Sequence, residues 1–323
     1  MNILLSILSV IFWLILLTHG KNILVDGAEN KKKKYRISEA IIGLTIVAVG
    51  TSMPELLVSM IASIGWNTEI AIGNVLGSNI ANILLILWIT AIISPIVLTR
   101  VTRFFDLPVV IMTSLLVFVL ISDTYLDNAL SNTIWRIDGI VLLGTAALYI
   151  LYSLKHNNFV PDKSKEVAEI ISMRKAFLWV IGWIIVLFIG GKILVDGAVD
   201  IAKIFGLSEA IIGLTIVALG TSAPELATSI VAARRGSPDL AVWNVVGSNI
   251  MNILVILGIS SVISPLPFLD SSYIDLWVVI FTPILLLILS YIWTRNTVGR
   301  KEWIVLISSY VAYIIYLVVR EIW

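Results

Sequence analysis

Long apolar runs, separated by short polar segments, recur along the whole chain. Ten of these runs reach about twenty residues, the length that crosses a bilayer as a helix. The predicted spans, numbered 1 to 10, are 2–29, 38–64, 69–95, 105–122, 135–154, 175–200, 208–233, 239–264, 274–293 and 302–320. The pattern therefore predicts an all-α integral membrane protein with ten transmembrane helices.

The composition agrees with a membrane protein and excludes several other classes. Hydrophobic residues make up 59% of the 323 residues and charged residues 13%, against roughly 25% charged in soluble domains. The net charge of +1 offers no basic surface for nucleic acid, and the absence of cysteine excludes disulfides. No G-x-x-x-x-G-K-[ST] motif for ATP occurs. The first apolar run lacks a basic segment and a cleavage site, so we expect a retained span.

Charged residues are distributed unevenly between the predicted spans. The loops that follow odd-numbered spans carry 17 of the 22 Lys and Arg, including the run "NKKKKYR" at 30–36. The loops at 122–133 and 265–275 are acidic. The positive-inside rule places the basic loops in the cytoplasm. It therefore predicts a multi-pass protein of the cell membrane with both termini outside.

The two halves of the chain repeat each other at a constant offset. The segment 38–59 matches 208–229 at 18 of 22 positions, and "GNVLGSNIANIL" (73–84) matches "WNVVGSNIMNIL" (243–254). Each copy contains five predicted spans, and an odd number places the copies in the membrane in opposite senses. The predicted domains are an N-terminal repeat at 1–154, a cytoplasmic linker at 155–174 and an inverted C-terminal repeat at 175–323.

Spans 2 and 7 each contain a helix-breaking motif, "GTSMPE" at 50–55 and "GTSAPE" at 220–225. Pro54 has no N–H to donate and suits the first turn of a new helix, while the glycine of the motif ends a helix at little cost. We expect half-helices at 38–49 and 53–64, and the same break in span 7. Opposite insertion of the copies would bring the two breaks face to face.

Each motif ends in an acid at membrane depth, Glu55 or Glu225. An acid at the centre of a span costs about 2.5–3.5 kcal/mol to insert, and spans 2, 3, 7 and 8 contain no Lys or Arg. A proline kink patched by the hydroxyls of Thr51 and Ser52 is the alternative interpretation for those two residues. It does not explain two symmetric acids, which favour an ion-binding function.

Spans 3 and 8 carry the related motifs "GSNIAN" (77–82) and "GSNIMN" (247–252). Ser78 and Asn82 are four residues apart and share a helix face, as do their counterparts, and the glycine of each motif allows close helix packing. Interhelical hydrogen bonding is one interpretation. Lining of an ion site is favoured, because each motif lies one span after a Glu. Asn79 and Asn249 lie off that face and are interpreted either as packing residues or as residues that support the ligands of the site from behind.

Other acids lie near the ends of predicted spans. Asp106 and Asp275 open spans 4 and 9, at equivalent places in the two halves. Acids near helix starts stabilise the helix dipole. We therefore expect these two residues to cap helices or to serve helix interfaces, outside the ion site.

The residues around the two breaks offer oxygen ligands only. With no cysteine in the chain and no histidine in the motifs, soft transition metals are disfavoured. Two carboxylates balance the charge of one Ca²⁺, which accepts 6–8 oxygens in flexible geometry, whereas Mg²⁺ demands a tight octahedron. The residues predict a divalent-cation site with Ca²⁺ as the preferred ion.

The paired GTSxPE and GSNxxN motifs, in a five-plus-five repeat, resemble the Ca²⁺/cation antiporter superfamily. They are most similar to the archaeal and bacterial Na⁺/Ca²⁺ exchanger branch, over nearly the whole chain. The resemblance implies a ten-helix fold with alternating access through sliding of spans 1 and 6. One departure concerns positions 82 and 252, where members often carry an acid and this chain has Asn.

The resemblance also implies two sets of site residues. The expected metal ligands are Glu55, Glu225, Asn82 and Asn252, together with the backbone at Thr51 and Thr221. The expected counter-ion lining is Ser52, Ser222, Ser78, Ser248, Ala48 and Ala218, with the alanines acting through their carbonyls. Neither set implies a catalytic residue or a resident cofactor, because Ca²⁺ and H⁺ or Na⁺ are the transported ions.

The expected function is secondary active antiport of Ca²⁺ against monovalent cations. Protons are favoured, because two carboxylates carry one Ca²⁺ or two H⁺ with equal charge, and no acid at Asn82 or Asn252 offsets the charge of three Na⁺. Na⁺ is a close second, since the motifs resemble Na⁺-coupled relatives. A Ca²⁺-permeable channel is the alternative, and an enzyme is not expected. The expected partners are the transported cations and lipid, with neither nucleic acid nor ATP. The sequence leaves the oligomeric state open, and a monomer is compatible with it.

Overall fold

The structure, a computed structural model, describes residues 48–123, 131–156, 192–193, 195–292, 297–298 and 302–322. Within these residues six helices are long and apolar enough to cross a membrane, and a bent helix pair brings the number to seven if it crosses as one span. The six are Thr68–Ile93, Thr102–Leu120, Arg136–Ser153, Pro238–Ile263, Asp270–Tyr291 and Trp303–Ile322. Predicted span 1 and parts of predicted spans 2 and 6 lie outside the described residues.

Shorter elements connect or precede these spans. The helices Ala48–Thr51 and Met53–Ile64 precede Thr68–Ile93, and a helical segment at 195–205 precedes the bent pair Glu209–Thr221 and Ala223–Arg234. Four two-residue strands follow spans: β1 (Ile96–Val97), β2 (Thr133–Ile134), β3 (Leu266–Pro267) and β4 (Thr297–Val298). The chain is thus helical with short extended links, as the apolar pattern predicts.

The sequence repeat is also a repeat of element boundaries. Thr68–Ala81 and Pro238–Met251 begin and end at equivalent positions of the two copies, and so do the π-helical turns Asn82–Ile86 and Asn252–Ile256 that extend them. The same backbone geometry therefore forms twice, because the same residues recur at the same spacing.

Two repeat-related helices occupy the centre of the described structure. In an apolar 18-residue stretch of each helix, 72% of the residues are buried in Thr68–Ile93 and 78% in Pro238–Ile263, whereas only 22% are buried in Trp303–Ile322. A spanning helix that is apolar on all sides and largely buried packs against protein instead of lipid. The GSNxxN motifs lie on these two central helices, which places their polar side chains inside the protein.

Glycines allow the closest helix contact in the core. A Cβ added at Gly77 would lie 2.3 Å from the carbonyl oxygen of Leu214, and one added at Gly73 would lie 2.7 Å from that of Ala210. Gly213 on the opposing helix packs on the same contact, 3.0 Å from Ile70 if it carried a Cβ. The predicted close approach at Gly77 is confirmed, and it brings the backbone of span 3 against the bent span 7.

The four strands form two antiparallel pairs, β1 with β4 and β2 with β3. Helix Thr102–Leu120 runs between β1 and β2, so the two pairs lie at its opposite ends. β1 and β3 occupy equivalent positions in the two copies of the repeat.

The helix breaks are shorter than the predicted gap. The prediction that the first half-helix ends at 49 is wrong, because Ala48–Thr51 remains helical and only Ser52 lies outside the helix that resumes at Met53. Ser222 is the equivalent single-residue interruption, with φ −78° and ψ 5°, and the helices on either side of it differ in direction by 42°. The proline two residues after each interruption has no backbone N–H to donate, but the threonine just before the interruption still belongs to the helix.

Asp275 serves a helix interface, as expected for one of the acids at span ends. It is fully buried, and Arg320 Nη1 lies 3.0 Å from its Oδ2. The Tyr313 hydroxyl donates to Asp275 Oδ1 at 2.9 Å. These bonds join helix Asp270–Tyr291 to helix Trp303–Ile322 at one end.

Candidate functional site

Each helix break is followed by an acid at the same position of the helix that comes next. Glu55 lies in the first turn of Met53–Ile64, and Glu225 in the first turn of Ala223–Arg234. The positive end of a helix dipole favours an anion in that turn. Both side chains are fully buried, and they are close enough for Coulomb repulsion between them. The breaks that sequence alone expected to meet do meet.

The two copies exchange hydrogen bonds through the residues at the breaks. Ser52 Oγ donates to Glu225 Oε1 at 3.0 Å, and Ser222 Oγ donates to Glu55 Oε1 at 3.1 Å. Each serine therefore serves the carboxylate of the other repeat. Hydrogen bonds to a charged acceptor are about twice as strong as neutral ones, so this exchange holds both carboxylates in place.

The second oxygen of each carboxylate has no hydrogen-bond partner among the described residues. Glu55 Oε2 and Glu225 Oε2 are both buried there without a donor. A buried charge without compensation is among the most costly features of a protein interior. Two buried carboxylate oxygens without a described donor are chemically suited to contact a cation.

Threonines and asparagines surround the carboxylates in matching pairs. Thr51 Oγ1 donates to Asn244 Oδ1 at 3.1 Å, and Thr221 Oγ1 donates to Asn74 Oδ1 at 2.9 Å. Thr51 lies beside Glu225. The sequence analysis did not single out either asparagine. The signal was present, because Asn74 and Asn244 occupy equivalent positions of the repeated segments 73–84 and 243–254.

The two halves of this shell are not identical. Asn74 Nδ2 donates to Ser59 Oγ at 2.9 Å and to the Glu55 carbonyl at 3.3 Å. In the second copy, Asn244 Nδ2 and Ser229 Oγ are both buried without a partner in the described part of the chain. Among the described residues, the first copy therefore makes more hydrogen bonds at this position than the second.

The predicted lining serines also differ in their contacts. Ser248 Oγ donates to Glu225 Oε1 at 3.1 Å, whereas Ser78 Oγ donates to the carbonyl oxygen of Ala218 at 3.4 Å. The Ala218 carbonyl thus lies next to a predicted lining residue. Ala48 lies in the helix before the first break.

Asn82 and Asn252 meet in a cluster of four asparagines. Asn82 Nδ2 donates to Asn249 Oδ1 at 2.9 Å, and Asn252 Nδ2 donates to Asn79 Oδ1 at 3.1 Å. Asn79 and Asn249 thus contact the residues whose support was one of the two roles expected of them. Each lies three residues before Asn82 or Asn252, and residues three apart on a helix are neighbours.

A metal at this site would need neutral oxygens as well as carboxylates. Within the described residues, no group of three or more His, Cys, Asp or Glu could hold a metal ion. Ca²⁺ takes carbonyl, amide and hydroxyl oxygens alongside carboxylates. The described hydroxyls and amides around Glu55 and Glu225 are of that kind.

Comparison with known proteins places the chain in one family. The model of the sodium/calcium exchanger protein family matches residues 5–155 and 175–319. The putative antiporter CaxA of Alkalimonas amylolytica is 34% identical over 320 residues, covering 96% of this chain and 98% of that protein. The sodium/calcium exchanger MaX1 of Methanosarcina acetivorans is 32% identical over 350 residues, covering 97% and 98%.

A solved structure agrees with these sequence matches. The sodium-calcium exchanger NCX_Mj, soaked with 10 mM Na⁺ and zero Ca²⁺, superimposes with a TM-score of 0.71 at 31% identity. The match covers 97% of this chain and 98% of that one. The chain therefore belongs to the sodium/calcium exchanger protein family of multi-pass membrane transporters.

Proposed function

We propose that the protein is a secondary antiporter that exchanges Ca²⁺ for monovalent cations at a site built by Glu55 and Glu225. The observation that carries this proposal is the pair of fully buried carboxylates. Each is bonded through one oxygen by a serine of the other repeat and is unpaired, among the described residues, at the second oxygen. Two negative charges in a dry site are balanced by one Ca²⁺.

The neutral ligands of the proposed site come from the same two breaks and the central helices. Thr51, Thr221, Asn82 and Asn252 complete the metal set. Asn82 Oδ1 and Asn252 Oδ1 support this assignment, because both are buried oxygens to which no described residue donates. The proposed counter-ion lining is Ser52, Ser222, Ser78, Ser248, Ala48 and Ala218.

The proposed topology is ten spans in two inverted repeats, 1–154 and 175–323, joined by a cytoplasmic linker at 155–174, with both termini outside. The strand pairs support the inversion. β3 is the repeat counterpart of β1 and pairs with β2, which lies at the other end of helix Thr102–Leu120. Equivalent segments at opposite ends of one spanning helix are what repeats of opposite sense require.

Inverted repeats also favour alternating access over a channel. In transporters built from inverted repeats, one repeat moves against the other around a fixed site. This movement opens the site to one side of the membrane and then to the other. The unequal bonding of Asn74 and Asn244 supports this mode, because the two equivalent residues have different partners. A channel would conduct Ca²⁺ without any counter-ion on the other side.

Two candidates remain for the counter-ion of this exchange. H⁺ is favoured because two protons carry the same charge as one Ca²⁺, so the two carboxylates suffice for the exchange. Asn82 and Asn252 are neutral and add no negative charge that would balance three Na⁺. Na⁺ is favoured by a different observation, namely that MaX1 and NCX_Mj are sodium/calcium exchangers. Hydroxyl and amide oxygens, which are abundant in the shell, also suit Na⁺.

Flux in proteoliposomes tests the exchange and its counter-ion together. Purified protein is reconstituted, and ⁴⁵Ca²⁺ uptake is followed with an imposed pH gradient in Na⁺-free buffer or with an outward Na⁺ gradient at equal pH. We expect saturable uptake that requires a counter-ion gradient. Uptake driven by the pH gradient alone assigns H⁺, and uptake driven only by the Na⁺ gradient assigns Na⁺. Uptake that proceeds equally well with no counter-ion would contradict antiport and support a channel.

A further inference from the structure

We propose that Asn79 and Asn249 are positioning residues that turn the carbonyl oxygens of Asn82 and Asn252 toward the transported cations. The inference rests on the proposed function, since it concerns the same ion site. It assigns a role to two asparagines that carry no ligand role in the proposed site.

The four amides are linked across the two repeats. Asn82 Nδ2, on span 3, donates to Asn249 Oδ1 on span 8, and Asn252 Nδ2, on span 8, donates to Asn79 Oδ1 on span 3. Asn249 is held in turn, because its Nδ2 donates to the backbone carbonyl of Asn79 at 3.1 Å. All four side chains are fully buried.

These bonds decide which end of each ligand amide is used. An asparagine presents either a carbonyl oxygen, which attracts a cation, or an NH₂ group, which repels one. In Asn82 and Asn252 the nitrogen is engaged by the neighbouring asparagine, while the Oδ1 of each is buried with no donor in the described structure. Two oxygens left open at symmetric places are the arrangement that a cation requires.

The backbone at these residues adds a second, independent feature. Asn82 begins the π-helical turn Asn82–Ile86, and Asn252 begins Asn252–Ile256. Single π-helical turns inside α-helices occur frequently at functional sites, where they change the direction of side chains and free backbone carbonyls. The positioning bonds and the widened turns coincide at both places.

The opposing interpretation is that the cluster only joins spans 3 and 8. A double-mutant cycle separates the two, because coupling between two residues appears as non-additivity. The variants are Asn249→Leu, Asn82→Leu and the double substitution, each reconstituted as full-length protein. The measurement is ⁴⁵Ca²⁺ uptake, analysed as the half-saturating Ca²⁺ concentration and the maximal rate.

If Asn249 acts through Asn82, Asn249→Leu raises the half-saturating concentration by roughly three- to tenfold, the size expected for one lost hydrogen bond, with less effect on the maximal rate. The double variant then matches Asn82→Leu alone. Asn249→Asp, which retains an acceptor for Asn82 Nδ2, keeps the half-saturating concentration at or below that of the wild type. Effects of Asn249→Leu and Asn82→Leu that simply add, or equal impairment by Asn249→Asp and Asn249→Leu, would overturn the proposal.

A second double-mutant cycle combines Asn79→Leu with Asn252→Leu, and we expect the same results from it. This second cycle replaces the first if Asn249→Leu does not fold. Ser261→Ala is the matched control, since it removes a buried hydroxyl of the same helix that donates to the Gly258 carbonyl at 3.1 Å. We expect wild-type half-saturation from it. Failure of the wild type to exchange Ca²⁺ would contradict the proposed function, whereas additivity in an active protein contradicts only the role of Asn79 and Asn249.

Discussion

At the scale of single residues, the carboxylates of Glu55 and Glu225 dominate the chemistry of the protein. Both are fully buried, and each is bonded by a serine that lies in the other half of the chain. The serines supply hydrogen bonds but no charge, so in the proposed site the two carboxylates supply the negative charge that a cation would balance. The arrangement makes each carboxylate depend on the other repeat for one of its hydrogen bonds.

Replacement of either glutamate by glutamine tests the assignment of the charge. Glu55→Gln and Glu225→Gln keep the size of the side chain and remove one of two charges, so we expect each to abolish ⁴⁵Ca²⁺ uptake. The proteins should fold normally, because loss of an unpaired buried charge removes a cost to folding. Glu69→Gln, in the first turn of helix Thr68–Ala81, is the control and should transport normally. Wild-type uptake by Glu225→Gln would refute the site.

At the scale of helices, the contact between span 3 and the bent span 7 controls the position of the site. Gly73 and Gly77 face Gly213 and Leu214 at backbone-to-backbone distance. Ser78, the residue after Gly77, reaches the Ala218 carbonyl in the helix before the second break. Close packing is therefore what brings the lining residues of one repeat to the break of the other.

Substitution of Gly77 measures the importance of that contact. In Gly77→Ala the new methyl would lie 2.3 Å from a backbone oxygen, so the helices must separate. Overpacking of this kind costs typically about 1–3 kcal/mol, and we expect a lower unfolding temperature in detergent together with slower Ca²⁺ uptake. Gly144→Ala is the matched control, because no described atom lies within 4 Å of its added Cβ. An unfolding temperature for Gly77→Ala equal to that of Gly144→Ala would show that the contact yields.

At the scale of the whole molecule, the two copies of the repeat form the same elements but not the same contacts. The helices after the breaks and the π-helical turns recur at equivalent positions of the two copies. The site nevertheless differs between copies, because Asn74 Nδ2 is bonded to Ser59 while Asn244 Nδ2 has no partner among the described residues. Under the proposed alternating access, these unequal environments of equivalent residues correspond to one of two interchangeable conformations.

Labelling of single cysteines tests the inversion directly, since the chain contains no cysteine of its own. Gly65 and Arg235 are equivalent in the repeat and both are exposed at the ends of helices. We expect a membrane-impermeant maleimide to label Arg235→Cys only from the cytoplasmic side and Gly65→Cys only from the outside. Labelling of both from one side would show that the copies have the same sense.

Much of this protein follows from its sequence alone. Apolar runs of bilayer length predict membrane helices, because a backbone in lipid must bond internally. The duplicated GTSxPE motif predicts two helix breaks and two acids, since proline lacks a donor and buried acids are too costly to be incidental. The repeat itself predicts equal element boundaries, and these are confirmed for the central helices and for the helices after the breaks.

Only the tertiary structure decided which residues of one repeat contact which of the other. The serines bond the opposite glutamates, Asn74 and Asn244 join the threonines, and Asn79 and Asn249 hold the amides of Asn82 and Asn252. Local pattern cannot show these pairs, because helical periodicity relates residues three or four apart and these partners lie in opposite halves of the chain. The same limit explains why the predicted helix breaks are longer than the single-residue interruptions at Ser52 and Ser222. Thr51 and Thr221 remain helical, and each donates a hydrogen bond to an asparagine of the other repeat, a contact that the local sequence does not contain.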